Sequence, residues 1–411
     1  MVWLTESMSN VAAVQSGSAF PKKHQGISGE KYPFYKVSDM NLSGNEESMY
    51  FENNTVSEDV KKELRSATFP PGSIVFPKVG AAIATNKKRI LTKVACVDNN
   101  VMGVIPFEDK LNPRFLFYWL QQHDLSEFAN EADLPSIKKT TVENWPVSYP
   151  EPVDEQKRIV AILDQAFADI EQARAKTEQN LRNARDLFES YLQQVFSQRG
   201  EGWVKKTLKE ASLDFGRGKS RHRPRNDQSL YGGDYPFIQT GDVRNCEHII
   251  ASYSKTYNEK GLAQSKLWPE GTICITVAAN IAETGILSFE GCFPDSVIGV
   301  VVDPEVTTIR YVEYLLQSFK AILQAKGQGS AQDNINMGTF EKMKFPFPSI
   351  KKQKEIVSVL DKLMISVQNL ERIYSDKLAG LDELKKSILH LAFTGQLTPS
   401  LESADGKGAA A

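Results

Sequence analysis

The feature that most constrains the fold of this chain is a long amphipathic helix that occurs twice. Residues 154–196 contain no proline or glycine, and residues that favour helices dominate them. Their apolar positions recur in alternating steps of four and three, a pattern typical of a helix that packs along another helix. The same pattern recurs in residues 351–393, each position 197 residues after its counterpart. The sequence therefore predicts one duplicated unit whose two helices pack together.

The predicted seam between the two helices is apolar except near its middle, where Thr177, Asn180 and Lys377 fall on it. It comprises Ile159, Leu163, Ile170, Leu187 and Tyr191 in the first helix, and Ile356, Leu360, Leu363, Val367, Leu370, Leu381, Leu384 and Ile388 in the second. At about 1.5 Å per residue, each helix makes a rod of about 65 Å. Such a pair is either an exposed spacer hairpin in a larger scaffold or a ruler that holds two similar domains apart.

The segments outside the helices also repeat each other in order. Tyr32-Pro33-Phe34 is echoed by Tyr235-Pro236-Phe237, and the turn before Ile74 by the turn before Ile273. The runs GSIVF, GTICITV and VIGVVV indicate strands, whereas FLFYWLQQHDL and RYVEYLLQSF indicate helices, with Trp119 and Tyr314 in the core.

We therefore predict an α+β fold with two similar mixed domains. Two long antiparallel helices would join them as an intramolecular coiled coil with pseudo-two-fold symmetry, and the chain termini would be near each other. The predicted boundaries are a first domain at 1–150, a first helix at 151–199, a second domain at 200–350, a second helix at 351–397 and a flexible tail at 398–411.

Composition narrows the class of protein. The 411 residues are 41% hydrophobic and 24% charged, as in an ordinary globular protein, and neither a membrane-spanning run nor a signal-peptide pattern is present. The four cysteines are scattered, which favours a reducing compartment without disulfides or a zinc cluster. The net charge of −2 gives no support to nucleic-acid binding, so any such function must come from local basic patches.

The sequence shows no catalytic constellation. The segment 216–220, GRGKS, lacks the first glycine of a phosphate-binding loop, because Leu213 stands in its place. No spacing typical of a methyltransferase, no metal-ligand spacing and no Ser/His/Asp arrangement stands out. We therefore predict a non-catalytic chain with no metal and no cofactor of its own.

Basic and polar side chains form candidate DNA-binding patches in both halves. Arginine forks suit phosphates and guanine edges, and Gln and Asn can pair with adenine. The alternatives are a solvated loop for each basic run and a turn that satisfies its own backbone for each polar loop. The candidates are Lys22, Lys23, His24, Lys87, Lys88, Lys138 and Lys139 in the first half, and Arg217, Lys219, Arg221, Arg223, Arg225, Gln328, Ser330, Gln332 and Asn334 in the second.

These features together resemble one family, the specificity subunits of type I restriction–modification systems. The resemblance covers nearly the whole chain. It rests on two variable segments alternating with two long helices, and on the helix starts EQKRIV at 155–160 and KQKEIV at 352–357. The helix exit FTGQL at 393–397, Trp203, and the Gly-Ser-x-Gln-x-Asn-Ile run at 329–335 also carry it. The first half lacks that last form and has Ser-Gln-Arg at 197–199 in place of Thr-Gly-Gln.

The resemblance implies a function and a set of partners. Each domain would read one half of a bipartite target in double-stranded DNA, and the coiled coil would set the gap between the halves. Two modification subunits and two restriction subunits would dock and would supply adenosylmethionine, ATP and Mg²⁺ chemistry, in a bacterial or archaeal cytoplasm. The alternative is a structural adaptor that binds proteins rather than DNA; an enzyme with an unrecognised site is a third possibility.

Overall fold

The computed structural model describes residues 2–197, 201–222, 224, 226–278, 281–327 and 337–397, without the side chains of 324–327. The chain divides into two compact units. Unit 1 consists of Met1–Thr177 with Asp376–Ala411, and unit 2 consists of Glu178–Ser375. Within the described residues, no helix combines the length and the apolarity that crossing a bilayer requires.

Unit 1 contains three small sheets. Their strands are β1 (Trp3–Ser7), β2 (Ala12–Ser16), β3 (Tyr32–Tyr35), β4 (Ser48–Met49), β5 (Thr55–Val56), β6 (Ile74–Pro77), β7 (Arg89–Leu91), β8 (Cys96–Val97), β9 (Val101–Pro106) and β10 (Pro146–Pro150). A five-stranded sheet has the order β2-β9-β6-β7-β4, a three-stranded sheet has the order β5-β3-β8, and β1 pairs with β10. Parallel pairs (β3 with β8, β4 with β7) occur beside antiparallel ones, so the sheets are mixed.

The helices of unit 1 are short except for the last. They are α1 (Met8–Val11), α2 (Glu58–Glu63), α3 (Pro113–Gln121), α4 (Lys139–Glu143) and α5 (Val153–Ser197), of which α5 continues into unit 2. Single turns of 3-10 helix lie at Lys22–His24, Val37–Asn41, Gly80–Thr85 and Leu125–Phe128. Asn112 caps α3 by accepting hydrogen bonds from the backbone N–H groups of Arg114 and Phe115. Trp119 of α3 is buried, as predicted.

Unit 2 repeats this plan. Its strands are β11 (Val204–Lys206), β12 (Ser212–Arg217), β13 (Tyr231–Phe237), β14 (Ile249–Ile250), β15 (Lys255–Tyr257), β16 (Leu267–Trp268), β17 (Ile273–Thr276), β18 (Thr284–Leu287), β19 (Gly291–Cys292), β20 (Val297–Val302) and β21 (Phe345–Phe347). The five-stranded order β12-β20-β17-β18-β14 matches that of unit 1 strand for strand, and β11 pairs with β21 as β1 does with β10. The remaining sheet, β15-β13-β19-β16, has one strand more than its counterpart β5-β3-β8 in unit 1.

The helices of unit 2 also follow the order of unit 1. They are α6 (Thr240–Arg244), α7 (Glu259–Ala263), α8 (Ile309–Gly327), α9 (Met337–Lys342) and α10 (Ile350–Phe393), and 3-10 turns lie at Lys209–Ala211 and Gln228–Leu230. Tyr314 of α8 is fully buried, as predicted. The predicted α+β class with two similar domains is confirmed.

A matched turn shows how closely the repeat is kept. Gly72 and Gly271 have φ values of +84° and +82°, a left-handed conformation that favours glycine. Each donates its N–H to the end of the neighbouring strand, at Leu91 and Leu287 respectively, over 2.8 Å in both cases. The sequence echo before Ile74 and Ile273 therefore marks one turn that both units need.

The two long helices contact each other within each unit. In unit 1, Arg174 pairs with Asp382, and Lys385 lies 3.4 Å from Glu171. Since the partners on α10 descend in number as those on α5 ascend, the helices are antiparallel here, as predicted. In unit 2, Arg185 pairs with Glu371 at 2.5 Å.

Part of the predicted seam is buried and part is not. Ile159, Leu163, Ile170, Leu360 and Val367 are buried, and five more predicted positions are partly buried against the cores: Tyr191, Ile356, Leu363, Leu381 and Ile388.

Three predicted seam positions are wrong. Leu187, Leu370 and Leu384 are 57%, 38% and 46% exposed. Near Leu187 the buried stripe is instead Ala184, Phe188, Leu192 and Phe196, in steps of four.

The position of α8 explains why the buried face of α5 near Leu187 differs from the predicted seam. The ring centroid of Phe188 lies 6.3 Å from that of Tyr314, and the ring centroid of Phe196 lies 5.4 Å from that of Tyr311. This part of α5 packs against α8 as well as α10, so its buried face departs from a two-helix seam with a period of 3.5.

The end of α10 completes the core of unit 1. Phe393 packs against Phe115 of α3 with ring centroids 5.0 Å apart, and Leu389 and Ala392 are buried in the same core. Gly395 lies against the Trp3 ring of β1. The prediction that the last helix returns to the first domain, near the chain start, is therefore confirmed.

A buried glutamine anchors each long helix to the domain before it. Gln156 Nε2 donates to the carbonyls of Lys110 (2.8 Å) and Pro150 (3.0 Å), and its Oε1 accepts from the N–H of Asn112 (2.8 Å). Gln353 of α10 does the same in unit 2. Its Nε2 donates to the carbonyls of Val306 and Pro348, and its Oε1 accepts from Thr307 and Thr308. Both glutamines have no exposed surface, so each group left unpaired would cost about 1–3 kcal/mol.

A carboxylate two turns further along each helix forms a second anchor. Asp164 of α5 accepts hydrogen bonds from Arg114 Nε (2.6 Å) and the Tyr118 hydroxyl (2.5 Å) of α3. In unit 2, Asp361 of α10 accepts from Arg310 and Tyr314 of α8 at 2.7 and 2.6 Å. Burial, followed by the hydrogen bond to the aspartate, raises the pKa of both tyrosines above the normal range.

The corrected seam gives a direct test. We expect Phe188→Ala to lower the free energy of unfolding by about 3–5 kcal/mol, because it opens a cavity in the unit 2 core. The neighbouring Leu187→Ala should change it by less than about 0.5 kcal/mol, because that side chain is exposed. Urea denaturation of both variants measures the difference, and equal losses would contradict this placement of the helix face.

Candidate nucleic-acid interface

A basic loop follows the edge strand β12 in unit 2. Arg217 ends β12 with an exposed side chain. Gly218 then passes so close to Phe293 that a Cβ would lie 2.1 Å from the Phe293 carbonyl oxygen, an approach that only glycine allows. The side chains of Lys219 and Arg221 are exposed immediately after it.

Hydrogen bonds hold the main chain of this loop. The N–H groups of Arg221 and His222 both donate to Gln264 Oε1, at 2.6 and 3.0 Å, and the Ser265 hydroxyl donates to the Lys219 carbonyl at 2.8 Å. The backbone is therefore fixed while the cationic ends of Lys219 and Arg221 face solvent. This combination suits a phosphate contact, because phosphate contacts set the position of a protein on DNA.

His222 has a different role from its basic neighbours. Its Nε2 lies 2.7 Å from Asp227 Oδ2. Hydrogen bonds from Ser229, together with His222, lower the pKa of Asp227 to about 2. Asp227 is therefore anionic at neutral pH and orients the His222 ring within the loop.

Several predicted residues of this half lie outside the described residues. They are Arg223, Arg225, Gln328, Ser330, Gln332 and Asn334.

Unit 1 has the corresponding loop after β2. Gly17 again passes under a strand, where a Cβ would lie 2.0 Å from the Asp98 carbonyl oxygen. The loop then forms the 3-10 turn Lys22–His24, in which Lys22 and Lys23 are exposed. Lys23 pairs with Glu63 at 2.5 Å. The His24 ring is almost fully buried and lies 3.4 Å from the same carboxylate, so it packs the turn instead of facing a ligand.

Lys88 does not belong to the candidate interface, contrary to prediction. Its side chain is 0% exposed, and its amine donates to the His123 carbonyl (2.6 Å) and Asn86 Oδ1 (2.7 Å). Burial lowers the pKa of Lys88 to about 8. It has no surface with which to meet a phosphate, unlike Lys87, which is partly exposed and donates to Asn41.

Two lysines that the sequence analysis missed lie beside Lys87. Lys385 and Lys386 of α10 line the same open cleft of about 590 Å³ in unit 1, together with Glu46 and Glu47. No local pattern joins positions nearly 300 residues apart, and only the return of α10 to unit 1 brings them together.

Lys138 and Lys139 form a separate patch at the start of α4. Both are exposed, and Lys139 lies 3.4 Å from Glu143 on the next turn. The preceding polar loop, residues 132–136, pairs with the segment that follows β6 through an isolated bridge between Ser136 and Val79. The structure thus places the candidates of unit 1 on three separate elements.

Comparison with known proteins identifies the family. The sequence model of the type I restriction modification DNA specificity domain matches residues 3–179 and again residues 200–375. The chain belongs to this family. Each match covers one globular domain and most of the long helix that follows it, so the repeat seen in the structure is a repeat of the family domain.

Curated relatives extend over nearly the whole chain. The EcoBI specificity subunit of Escherichia coli is 23% identical over 99% of this chain and 90% of its own length. The StySPI specificity subunit of Salmonella potsdam is 22% identical over 96% of this chain and 89% of its own length. These relatives are named as specificity subunits of type I restriction enzymes.

Solved structures share the fold. The HsdS subunit of Thermoanaerobacter tengcongensis aligns with a TM-score of 0.63 at 17% identity, covering 96% of this chain and 97% of that subunit. A chain from a study of complex assembly and conformational transition of the type I R-M system aligns with a TM-score of 0.75, also at 17% identity, over 96% of this chain and 98% of that chain.

The family assignment decides between the classes that the sequence left open. The resemblance to type I specificity subunits is confirmed, and a DNA-specificity function is favoured over a structural adaptor.

The basic loop of unit 2 can be tested through salt dependence. We expect Lys219→Ala combined with Arg221→Ala to weaken DNA binding by the assembled complex. The slope of log K against log salt should fall in magnitude by about 1.8, because about 0.9 counterion is released per phosphate contact. Fluorescence anisotropy between low and moderate salt measures the slope.

The matched control removes two other exposed lysines of unit 2, Lys205 and Lys209. Lys209 lies before the start of β12, whose length from Ser212 to Arg217 is about 17 Å at about 3.4 Å per residue. This control has the same net charge change and should keep the wild-type slope. Equal slopes for all three proteins would exclude the loop from the interface.

Proposed function

We propose that this chain gives a type I restriction–modification complex its DNA specificity, each domain reading one half of a bipartite double-stranded target in the major groove. One observation carries the proposal: the two units share a strand order and both helix anchors, yet they expose different side chains after the matched glycines Gly17 and Gly218. Two domains with a common framework and different surfaces are suited to bind two different DNA sequences. Phosphate contacts would set the position and base contacts the sequence.

The long helices would set the gap between the two half-sites. Each is a single helix, of 45 residues in α5 and 44 in α10, and each belongs partly to unit 1 and partly to unit 2. A helix of this length spans about 65 Å, against about 34 Å for one turn of DNA. Changing the length of both helices should therefore change the spacer and leave the half-sites unaltered.

The partners would supply the chemistry. We propose two modification subunits and two restriction subunits, with adenosylmethionine, ATP and Mg²⁺ bound to them and not to this chain, in the cytoplasm of the host cell. Base flipping and methyl transfer would then belong to the modification subunit. This division fits the curated relatives, whose names identify them as specificity subunits.

Footprinting and methylome sequencing test the proposal. The chain assembled with its modification subunit should protect two short blocks of DNA separated by an unread gap, and methylation should fall within those blocks in vivo. If neither protection nor methylation depends on sequence, the chain is a structural adaptor and the proposal is wrong.

A paired deletion tests the spacer role. Removing residues 175–181 from α5 and 375–381 from α10 deletes one heptad from each helix, which keeps the seam in phase. The rise of about 1.5 Å per residue predicts a spacer shorter by about three base pairs, with both half-sites unchanged. Inserting one heptad at the same points should lengthen the spacer equally. Altered half-sites with a constant gap in the methylome would contradict the role of the helices.

A further inference from the structure

The side chain at one matched position is buried in unit 1 and exposed in unit 2. In unit 1 the loop after Gly17 sends Phe20 inward, where its ring stacks on Phe34 with centroids 3.9 Å apart. In unit 2 the residue at the same distance after Gly218 is Arg221, whose side chain is exposed.

The counterpart of Phe34 is Phe237, since each pairs in parallel with the matched cysteine, Cys96 or Cys292. The ring of Phe237 stacks on Tyr257 of its own sheet, with centroids 4.1 Å apart. Among the described residues of the basic loop, none stacks a ring on Phe237 as Phe20 does on Phe34.

Unit 1 also satisfies its polar groups internally at this position. Lys36 donates to Gln25 Oε1 at 2.9 Å, and Gln25 Nε2 donates to the Phe20 carbonyl at 2.7 Å. Asn54 is buried and accepts from the N–H of Gly26 at 2.8 Å. Phe34 is fully buried, so the space above it is closed, with polar side chains that bind each other and the main chain of the loop.

Unit 2 leaves an open polar pocket instead. Its volume is about 230 Å³, several times the roughly 30 Å³ share of one water. Phe237 and Pro294 supply apolar lining, and Asn226, Gln239, Thr240 and Lys255 supply polar groups.

Gln239 and Lys255 are the counterparts of Lys36 and Asn54. Gln239 and Lys36 each form a capping box with an aspartate three residues on, and Lys255 and Asn54 each precede the threonine that pairs with a matched proline.

The pocket adjoins the proposed phosphate contacts. Ser220, one of the lining residues, lies between the exposed Lys219 and Arg221. A phosphate held by either side chain would therefore bring the neighbouring nucleotides to the pocket. Lys255 Nζ lies 5.3 Å from the centre of the Tyr231 ring, so a cation–π contact holds the Lys255 amine beside that ring.

We propose that Gln239 and Lys255 are specificity-determining residues of unit 2, reading purine edges in the major groove. The inference rests on the proposed function. Gln239 Oε1 accepts from the Ser254 hydroxyl at 3.3 Å and from the α6 cap, so its amide N–H is the group that would donate to N7 of a purine. Lysine can donate to O6 and N7 of guanine. Unit 1 holds neither residue at these positions and has the space filled, so its half-site must be read by other groups.

Two variants test this in the full chain assembled with its modification subunit. Gln239→Ala and Lys255→Ala should each make one position of one half-site degenerate, with discrimination there reduced about 10- to 100-fold. The other half-site and the spacer should not change. Methylome sequencing and selection from a randomised duplex library both read this out.

Lys255→Ala matters most, because Lys255 is exposed and its loss leaves the α6 cap intact, whereas Gln239 helps to cap that helix. Lys260→Ala, an exposed lysine of α7 in the same unit, is the matched control and should keep the wild-type target.

The outcomes separate the inference from the proposed function. If the wild-type complex shows no sequence preference, the proposed function fails. If the wild type is specific but both variants keep its target, the pocket does not read bases and the inference alone is wrong. A uniform loss of affinity with unchanged preference would assign Lys255 to a phosphate and would also overturn the inference.

Discussion

The architecture depends on the way each long helix is fixed to the domain that precedes it. Gln156 and Gln353 bind backbone groups at the end of their domain, and about two turns later Asp164 and Asp361 accept from an arginine and a tyrosine of a domain helix. Backbone groups buried without a partner are costly, so each glutamine has one favourable arrangement. Because the same groups recur in both units, each domain meets its own helix in the same way. A protein that uses helices to set the distance between two DNA contacts requires this rigidity.

The same comparison divides the chain into constant and variable parts. The strand orders, the turns at Gly72 and Gly271 and the helix anchors are constant. The loops that follow Gly17 and Gly218 both begin where the main chain passes close to a backbone carbonyl of a neighbouring segment. Beyond that point the two loops differ in the turn they form, in their charge and in the burial of their side chains. A loop held at a fixed point by a glycine that nothing can replace is free to vary beyond it. Variation in these loops can therefore occur without any change to the strand order or to the helix contacts.

Much of this organisation was predictable from the sequence, because it depends on local periodicity and on repetition. The long helices lack proline, only Gly380 of α10 interrupts their helix-favouring residues, and the ordered echoes identify the duplicated domain. The failures have a tertiary cause. Leu187 was placed on the seam because a two-helix period was assumed, yet α8 also covers α5 and draws Phe188 inward. Lys88 lies in a run of basic residues, which predicts an exposed side chain. Only its tertiary contacts with His123 and Asn86 show that it is buried. The contrast between the open pocket of unit 2 and the filled space of unit 1 depends on Arg221 being exposed where Phe20 is buried, which no periodic pattern encodes.

The differences between the units also constrain the symmetry of the target. Two domains that read the two halves of a palindrome would need the same side chains at matched positions. Here Arg221 stands opposite Phe20, Gln239 opposite Lys36 and Lys255 opposite Asn54. Lys36 binds Gln25 whereas Gln239 accepts from Ser254, and Asn54 binds Gly26 whereas Lys255 lies over the Tyr231 ring. Base readout depends on the donors and acceptors presented to the groove, so on the proposed role of these positions the two units favour different bases. Duplication supplied two similar frameworks, and divergence in the loops and at the ends of short elements gave the two units different surfaces. On the proposed function, the two half-sites must therefore differ in sequence, and the complex must bind its target in a single orientation.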